Sequence, residues 1–147
     1  MEAHEQVDIL LVEDNPLDAE LTMRGLQDEK LAHKVVWLKD GQQALDYLFR
    51  KAAYAGSTDA RPRLILLDLK MPRVDGLELL RDLRADPRTR SIPVVVLTSS
   101  GEPRDLAATY ELLVNSYVIK PIVSDEFARV IGDLGRYWTR VNSVPTA

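Results

Sequence analysis

Leu64-Ile65-Leu66-Leu67-Asp68 is apolar at four successive positions and then abruptly acidic, and that pattern decides the fold. A strand with one face in water alternates apolar and polar side chains. A strand apolar throughout is buried on both faces, as an inner strand of a parallel sheet is when helices cover it on either side. Val94-Val95-Val96-Leu97 repeats the pattern. Working outward, Val7 to Val12, Val35-Val36-Trp37-Leu38 and Tyr117-Val118-Ile119 supply further short β-branched or leucine-rich runs.

Segments with helical signals lie between these runs. Asn15-Pro16 offers a cap followed by proline at the first helical position, and Glu20 and Arg24 are spaced for an i, i+4 ion pair. Asp40-Gly41 opens a second helix, Gln42 to Arg50, with Ala44, Leu45 and Leu48 expected to face inward. Leu77, Leu80 and Leu83 mark a third, with Leu79 on its flank and an end near Asp86-Pro87, and Pro103 to Leu113 reads as a fourth. In the fifth, Ser124 is the expected cap, Asp125 and Glu126 complement the helix dipole, and Phe127, Val130, Ile131, Leu134 and Trp138 share a face. Ala52 to Arg63, with Gly56 and Pro62, reads as a long surface loop. Five strand–helix pairs joined by right-handed crossovers predict an α/β fold, a doubly wound parallel sheet between two helical layers.

Bulk properties narrow the function. The 147 residues are 46% hydrophobic, enough for one well-buried core, so a single domain is expected. Lys+Arg 19 against Asp+Glu 23 gives a net charge of -4 and no general electrostatic attraction to nucleic acid or an anionic membrane. The absence of cysteine excludes disulfides, thiolate metal sites and thiol catalysis. The first six residues are polar and the apolar stretch after them is too short for a signal sequence or a span, so a cytoplasmic location is expected. His4 and His33 lack a ligand pattern around them, and no metal role is expected of either.

Three of the apolar runs end in charged groups: Glu13-Asp14 after the first, Asp68 after the third and Lys120-Pro121 after the fifth. If these are neighbouring parallel strands, their carboxyl ends gather three carboxylates and one ammonium in a shallow pocket. Like charges so placed repel strongly, and the cluster asks for a cation and a phosphoryl group.

Ile9-Leu10-Leu11-Val12-Glu13-Asp14-Asn15, Leu67-Asp68-Leu69-Lys70-Met71-Pro72 with Asp75-Gly76, Val96-Leu97-Thr98-Ser99 and Tyr117-Val118-Ile119-Lys120-Pro121 follow one another in this order. Together they resemble the signature segments of two-component response-regulator receiver domains, over the stretch from Val7 to Tyr137. The resemblance implies a CheY-like sheet of the flavodoxin type, strand order 2-1-3-4-5 with five helices. It also implies one receiver domain over residues 1–147, its core running from about 7 to 140 between tails 1–6 and 141–147. The loop after the second helix and the Tyr137-Trp138 ending are similar to single-domain regulators paired with bacterial phytochrome kinases.

In that setting Asp68 is the expected nucleophile, its carboxylate attacking phosphorus to form an acyl phosphate. Mg2+ is the expected cofactor, because the added charge beside Glu13 and Asp14 needs a hard cation that keeps water for the phosphoryl oxygens to replace. Glu13, Asp14 and Asp68 are its expected ligands, and the resemblance implies the backbone carbonyl of Lys70 as another. Lys120 would neutralise one phosphoryl oxygen and the Thr98 hydroxyl would donate to another. The expected donor is a phosphohistidine on a sensor histidine kinase, a bacteriophytochrome by the narrower resemblance.

The family's switch implies that Thr98 moves inward and Tyr117 turns into the space it leaves, shifting the surface of the fourth helix, fifth strand and fifth helix. Tyr137 and Trp138 are read as an exposed aromatic pair and a candidate homodimer interface. Lys70 and Ser99 depart from the commonest receiver pattern and are expected beside the path of attacking water. Onward phosphotransfer, as an intermediate or sink, is the alternative output. A haloacid-dehalogenase-like phosphatase shares most of these residue types but wants a second Asp where Lys70 stands. A nucleotide-binding module wants a glycine-rich turn where Glu13-Asp14-Asn15-Pro16 stands.

Overall fold

The computed structural model describes residues 7–28, 34–57 and 61–145. Strands and helices alternate: β1 (Ile9–Val12), α1 (Pro16–Asp28), β2 (Val35–Leu38), α2 (Gly41–Leu48), β3 (Leu64–Leu67), α3 (Gly76–Ala85), β4 (Val94–Thr98), α4 (Pro103–Glu111), β5 (Ser116–Ile119) and α5 (Ser124–Arg136). Every strand pairing is parallel, in the order β2-β1-β3-β4-β5. The winding reverses between β1 and β3, and that reversal opens a crevice at their carboxyl ends.

The all-apolar strands are buried because both of their faces are covered. Leu10, Val12, Ile65, Leu67, Val94 and Val96 join Ala44 and Tyr47 of α2 and Leu79, Leu80 and Leu83 of α3 in one core cluster. The alternate residues Ile9, Leu11, Leu64, Leu66, Val95 and Leu97 meet Ala19 and Leu26 of α1 and Phe127 and Ile131 of α5 on the opposite face. Each fully buried leucine contributes about 1.5–3 kcal/mol relative to exposure. The edge strands β2 and β5 are only half-buried. The Arg84 guanidinium donates to the carbonyls of Arg90, Ile92, Leu112 and Leu113, tying the entry to β4 to the turn after α4.

Several local expectations are corrected. Ser124 does not cap α5: it is the first helical residue, and the cap is Val123, which makes no side-chain capping bond. Leu79 is fully buried while Leu77 only packs against the edge of the core, so α3 is rotated from the expected face. Tyr47 joins Ala44 in the core and meets Tyr54 edge to face at 5.3 Å, leaving Leu45 and Leu48 at the margin. Tyr54 belongs to a short 3-10 turn, Ala52–Tyr54, within the expected loop. Trp138 lies on a π-type turn continuing α5, Tyr137–Val141, and packs against the α1/α5 cluster instead of standing exposed, whereas Tyr137 stays 49% exposed. His4 and His33 lie outside the described residues.

Gly76 fixes the approach of α3 to the end of β3. Asp75 caps that helix by accepting the Glu78 amide at 3.0 Å, and the Gly76 amide donates to the Leu69 carbonyl at 2.9 Å. A β-carbon on Gly76 would collide with the Asp68 carbonyl and the Leu69 α-carbon, both backbone atoms that cannot turn aside. Gly76→Ala is therefore expected to lower unfolding free energy in urea by about 1–3 kcal/mol. Gly56→Ala, where a β-carbon meets nothing within 4 Å among the described residues, should leave the midpoint unchanged or slightly raised.

Candidate functional site

Four strands deliver side chains to the crevice. Register pairs Val12 of β1 with Leu67 of β3 and Thr98 of β4 with Ile119 of β5, so Glu13 and Asp68 leave neighbouring strands, and Thr98 on β4 stands between Asp68 and Lys120. Glu13 and Asp68 are buried at 2% and 7% exposure, while Asp14 is exposed. One carboxylate oxygen from each of Glu13, Asp14 and Asp68 lies within 4.8 Å of the others. The Lys120 ammonium sits among them, 2.6 Å from Glu13 Oε1, 2.9 Å from Asp18 Oδ2 and 3.4 Å from Asp68 Oδ2. Its backbone amide donates to the Thr98 carbonyl at 2.7 Å.

Glu13 is held from two sides. Its Oε2 accepts the Asn15 amide at 3.2 Å, and its carbonyl accepts the Trp37 indole N–H at 2.8 Å. Asn15 also caps α1, with Oδ1 accepting the Leu17 and Asp18 amides, as its sequence position predicts. Burial pushes the Glu13 carboxyl up; the Lys120 hydrogen bond opposes this and the Asp68 charge adds to it, leaving the group at about 8. Burial alone would pull the Lys120 ammonium down, but its bonds to Glu13 and Asp18 and the charge of Asp68 more than offset that and raise it. These shifts describe one condition: more carboxylates than a single ammonium can neutralise. The converging donors are all oxygens, a set that suits a hard divalent cation and not a soft metal.

Thr98 is fully buried, and its hydroxyl accepts the Ser100 amide at 3.5 Å. Tyr117 is half-buried, and its hydroxyl donates to the Ser100 carbonyl at 2.7 Å, linking β5 to the turn after Thr98. The Lys70 amide lies 3.5 Å from Asp68 Oδ1, while its ammonium runs away to Asp105 Oδ2 at 3.4 Å. Ser99 is exposed, and its neighbour Ser100 is the engaged residue, donating to Asp105 Oδ2 at 2.6 Å. That bond holds the Asp105 carboxyl below its ordinary range despite burial, with Lys70 adding to the effect.

Sequence reasoning missed Asp18, Ser100 and Asp105. Asp18 had a usable signal, since it stands four residues after Asp14 in the first turn of a helix whose start was legible. Asp105 had none, because an acidic residue early in a helix is common on dipole grounds alone.

Among curated relatives, the probable methanogenesis regulatory protein FilR2 of Methanothrix harundinacea is 41% identical over 145 residues, covering 99% of this chain and 92% of that one. Response regulator Rcp1 of Synechocystis is 37% identical over 139 residues, covering 95% and 93%, and its Mn(2+)-bound crystal structure superposes with a TM-score of 0.90 at 36% identity over 97% and 100%. The bacteriophytochrome response regulator RtBRR is 47% identical with a TM-score of 0.76 over 96% of this chain and 85% of that one. Neither the phosphatase nor the nucleotide-binding alternative is favoured by these likenesses. Residues 9–131 match the response regulator receiver domain family, and with relatives at these identities over nearly its whole length the chain belongs to that family, acting as a phosphoacceptor in two-component signalling.

Proposed function

We propose that Asp68 takes a phosphoryl group from a phosphohistidine of a sensor histidine kinase. The observation that carries this is the buried Asp68 carboxylate at the end of β3, with Lys120 Nζ 3.4 Å away and carboxylate oxygens of Glu13 and Asp14 within 4.8 Å. Asp68 attacks phosphorus, the P–N bond to the imidazole breaks, and the acyl phosphate remains on the side chain. Glu13, Asp14 and Asp68, with the Lys70 backbone carbonyl, would hold Mg2+. That ion, when bound, supplies the positive charge that lets an anionic phosphoryl group enter an acidic pocket. Lys120, with Asp18 as its alternative partner, reorients to a phosphoryl oxygen, and the Thr98 hydroxyl donates to another. Lys70 has no carboxylate to offer as a general acid, which argues against turnover of phosphate esters; the role is that of a signalling phosphoacceptor, with slow loss of its own phosphoryl group as a minor activity.

The reading extends to the setting. The name of RtBRR supports a bacteriophytochrome kinase as donor, and Rcp1, whose structure holds Mn(2+), supports a divalent ion at the acidic cluster. The chain is read as a single cytoplasmic receiver domain whose partners are proteins; no helix among the described residues is long and apolar enough to cross a membrane. Tyr117, bonded to the turn after Thr98, is the switch residue by which phosphorylation reaches the α4–β5–α5 surface. Tyr137, exposed and set edge to face on Trp138 at 5.3 Å, belongs to a homodimer interface for which Trp138 is the support.

Exposure to acetyl phosphate with excess Mg2+ should add one phosphoryl mass to the chain, mapped to Asp68, and Asp68→Asn should add none. In a Trp138→Phe background, Trp37 emission should report the metal through the indole bond to Glu13. There, saturation at 100 times the dissociation constant should stabilise the parent by about 2.7 kcal/mol in urea, and Asp14→Asn should lose most of that gain at the same Mg2+ concentration. Without metal, the same variant should unfold at a higher urea midpoint than the parent, because one repelling charge is gone. Sedimentation of Tyr137→Ala should show association at least tenfold weaker, with no loss of phosphorylation.

A further inference from the structure

Asp18 is a carboxylate at the site that neither holds the metal nor accepts the phosphoryl group. It stands in the first turn of α1, where its backbone amide is held by Asn15 Oδ1 at 3.1 Å, and its side chain is 25% exposed. Its Oδ2 meets the Lys120 ammonium at 2.9 Å and so ties α1 to the residue that follows β5. The ammonium has three hydrogens and three carboxylate partners: Glu13 at 2.6 Å, Asp18 at 2.9 Å and Asp68 at 3.4 Å. Glu13 and Asp68 also belong, with Asp14, to the trio whose oxygens converge within 4.8 Å; Asp18 does not.

That division has an electrostatic consequence. A divalent cation among the trio lies close to the ammonium, and the two repel. Glu13 and Asp68 are then shared with the cation, and Asp18 is the partner of the ammonium whose charge stays undivided. We infer that Asp18 is a positioning residue for Lys120: the ammonium is drawn onto it as the cation enters, which lets two positive charges occupy one pocket, and the same hold weakens the pull of Lys120 on a phosphoryl group. The inference rests on the phosphoacceptor reading above and gives one carboxylate opposite effects on the two ligands of the site. The Lys120 side chain is only 7% exposed, so solvent ions screen this exchange little. A phosphoryl oxygen takes most directly the hydrogen that now points to Asp68, so Asp18 keeps its own bond. Its effect on the phosphoryl group is one of charge, since an ammonium already faced by a carboxylate attracts an anion less.

Mg2+, and then beryllofluoride at saturating Mg2+, can be titrated by calorimetry at one pH into the parent, Asp18→Asn and Glu20→Gln. Beryllofluoride is a phosphoryl mimic that binds an aspartate carboxylate. Asp18→Asn keeps an oxygen for Lys120 but not the charge; it should bind Mg2+ about three- to tenfold more weakly and the mimic about three- to tenfold more tightly. Glu20→Gln, which removes an exposed acid of the same helix paired with Arg24, should shift either affinity by less than about twofold. In a Lys120→Met background, Asp18→Asn should cost Mg2+ less than about twofold in affinity, because no ammonium is left for Asp18 to receive. A loss there equal to that in the parent, or shifts in Glu20→Gln as large as those in Asp18→Asn, would mean charge acting through space alone and would overturn the inference. So would a contact with only a structural role, which lowers the urea midpoint without moving the two affinities in opposite directions. Should Lys120→Met fail to fold, the opposed shifts of Asp18→Asn decide; should Asp18→Asn fail to fold, Asp18→Ser decides by the same criterion. Beside a parent that binds both ligands, the negative outcomes overturn this inference alone; a parent that fails to bind either removes the phosphoacceptor reading and this inference with it.

Discussion

A single ammonium among carboxylates is the constraint from which the functional end of this molecule follows. Lys120 reaches Glu13, Asp18 and Asp68 at once, and it can do so because β5, α1, β1 and β3 all bring these residues to one edge of the sheet. A lone carboxylate as buried as Glu13 would be strongly disfavoured as an anion, and its carboxyl is indeed pushed up to about 8 even with Lys120 beside it. The site therefore stores electrostatic cost that further positive charge can relieve, a common property of sites that bind cations.

The fold makes that concentration of charge tolerable. Two apolar clusters, one on each face of the sheet, fix β1 and β3 in register, and the strands cannot slide to spread the carboxylates without exposing leucines and valines. Glycine at position 76 lets α3 close down on the backbone of Asp68 and Leu69. The acceptor is thus set by backbone packing, whereas Lys120 and Thr98 keep alternative partners in Asp18 and Ser100. On the proposed reading, a fixed acceptor beside side chains with more than one partner suits a switch, in which a local charge change is passed on by neighbours that can exchange bonds.

Tyr117, Ser100, Asp105 and Lys70 extend this logic outward. Their bonds connect β5, the turn after β4, the start of α4 and the loop after Asp68 in one continuous chain. Thr98 and Tyr117 both meet Ser100, one at its amide and the other at its carbonyl.

The alternation of all-apolar runs with helix signals was enough to predict the doubly wound sheet, because burial on both faces leaves no polar position in a strand, and the resemblance then implied the strand order. Glu13, Asp14, Asp68 and Lys120 were legible for a related reason: a charge directly after a buried run must emerge at the sheet edge. What the sequence could not reveal was rotation and reach. The face that α3 turns inward, the packing of Trp138 against the core, and the capping of α5 by Val123 instead of Ser124 depend on how helices settle on the sheet. The roles of Asp18 and Asp105 were likewise decided only in three dimensions, since each is an ordinary first-turn acid until the tertiary structure sets a lysine or a serine hydroxyl against it. Periodicity reports which side of an element is buried; which charge meets which across separate elements is settled only by tertiary packing.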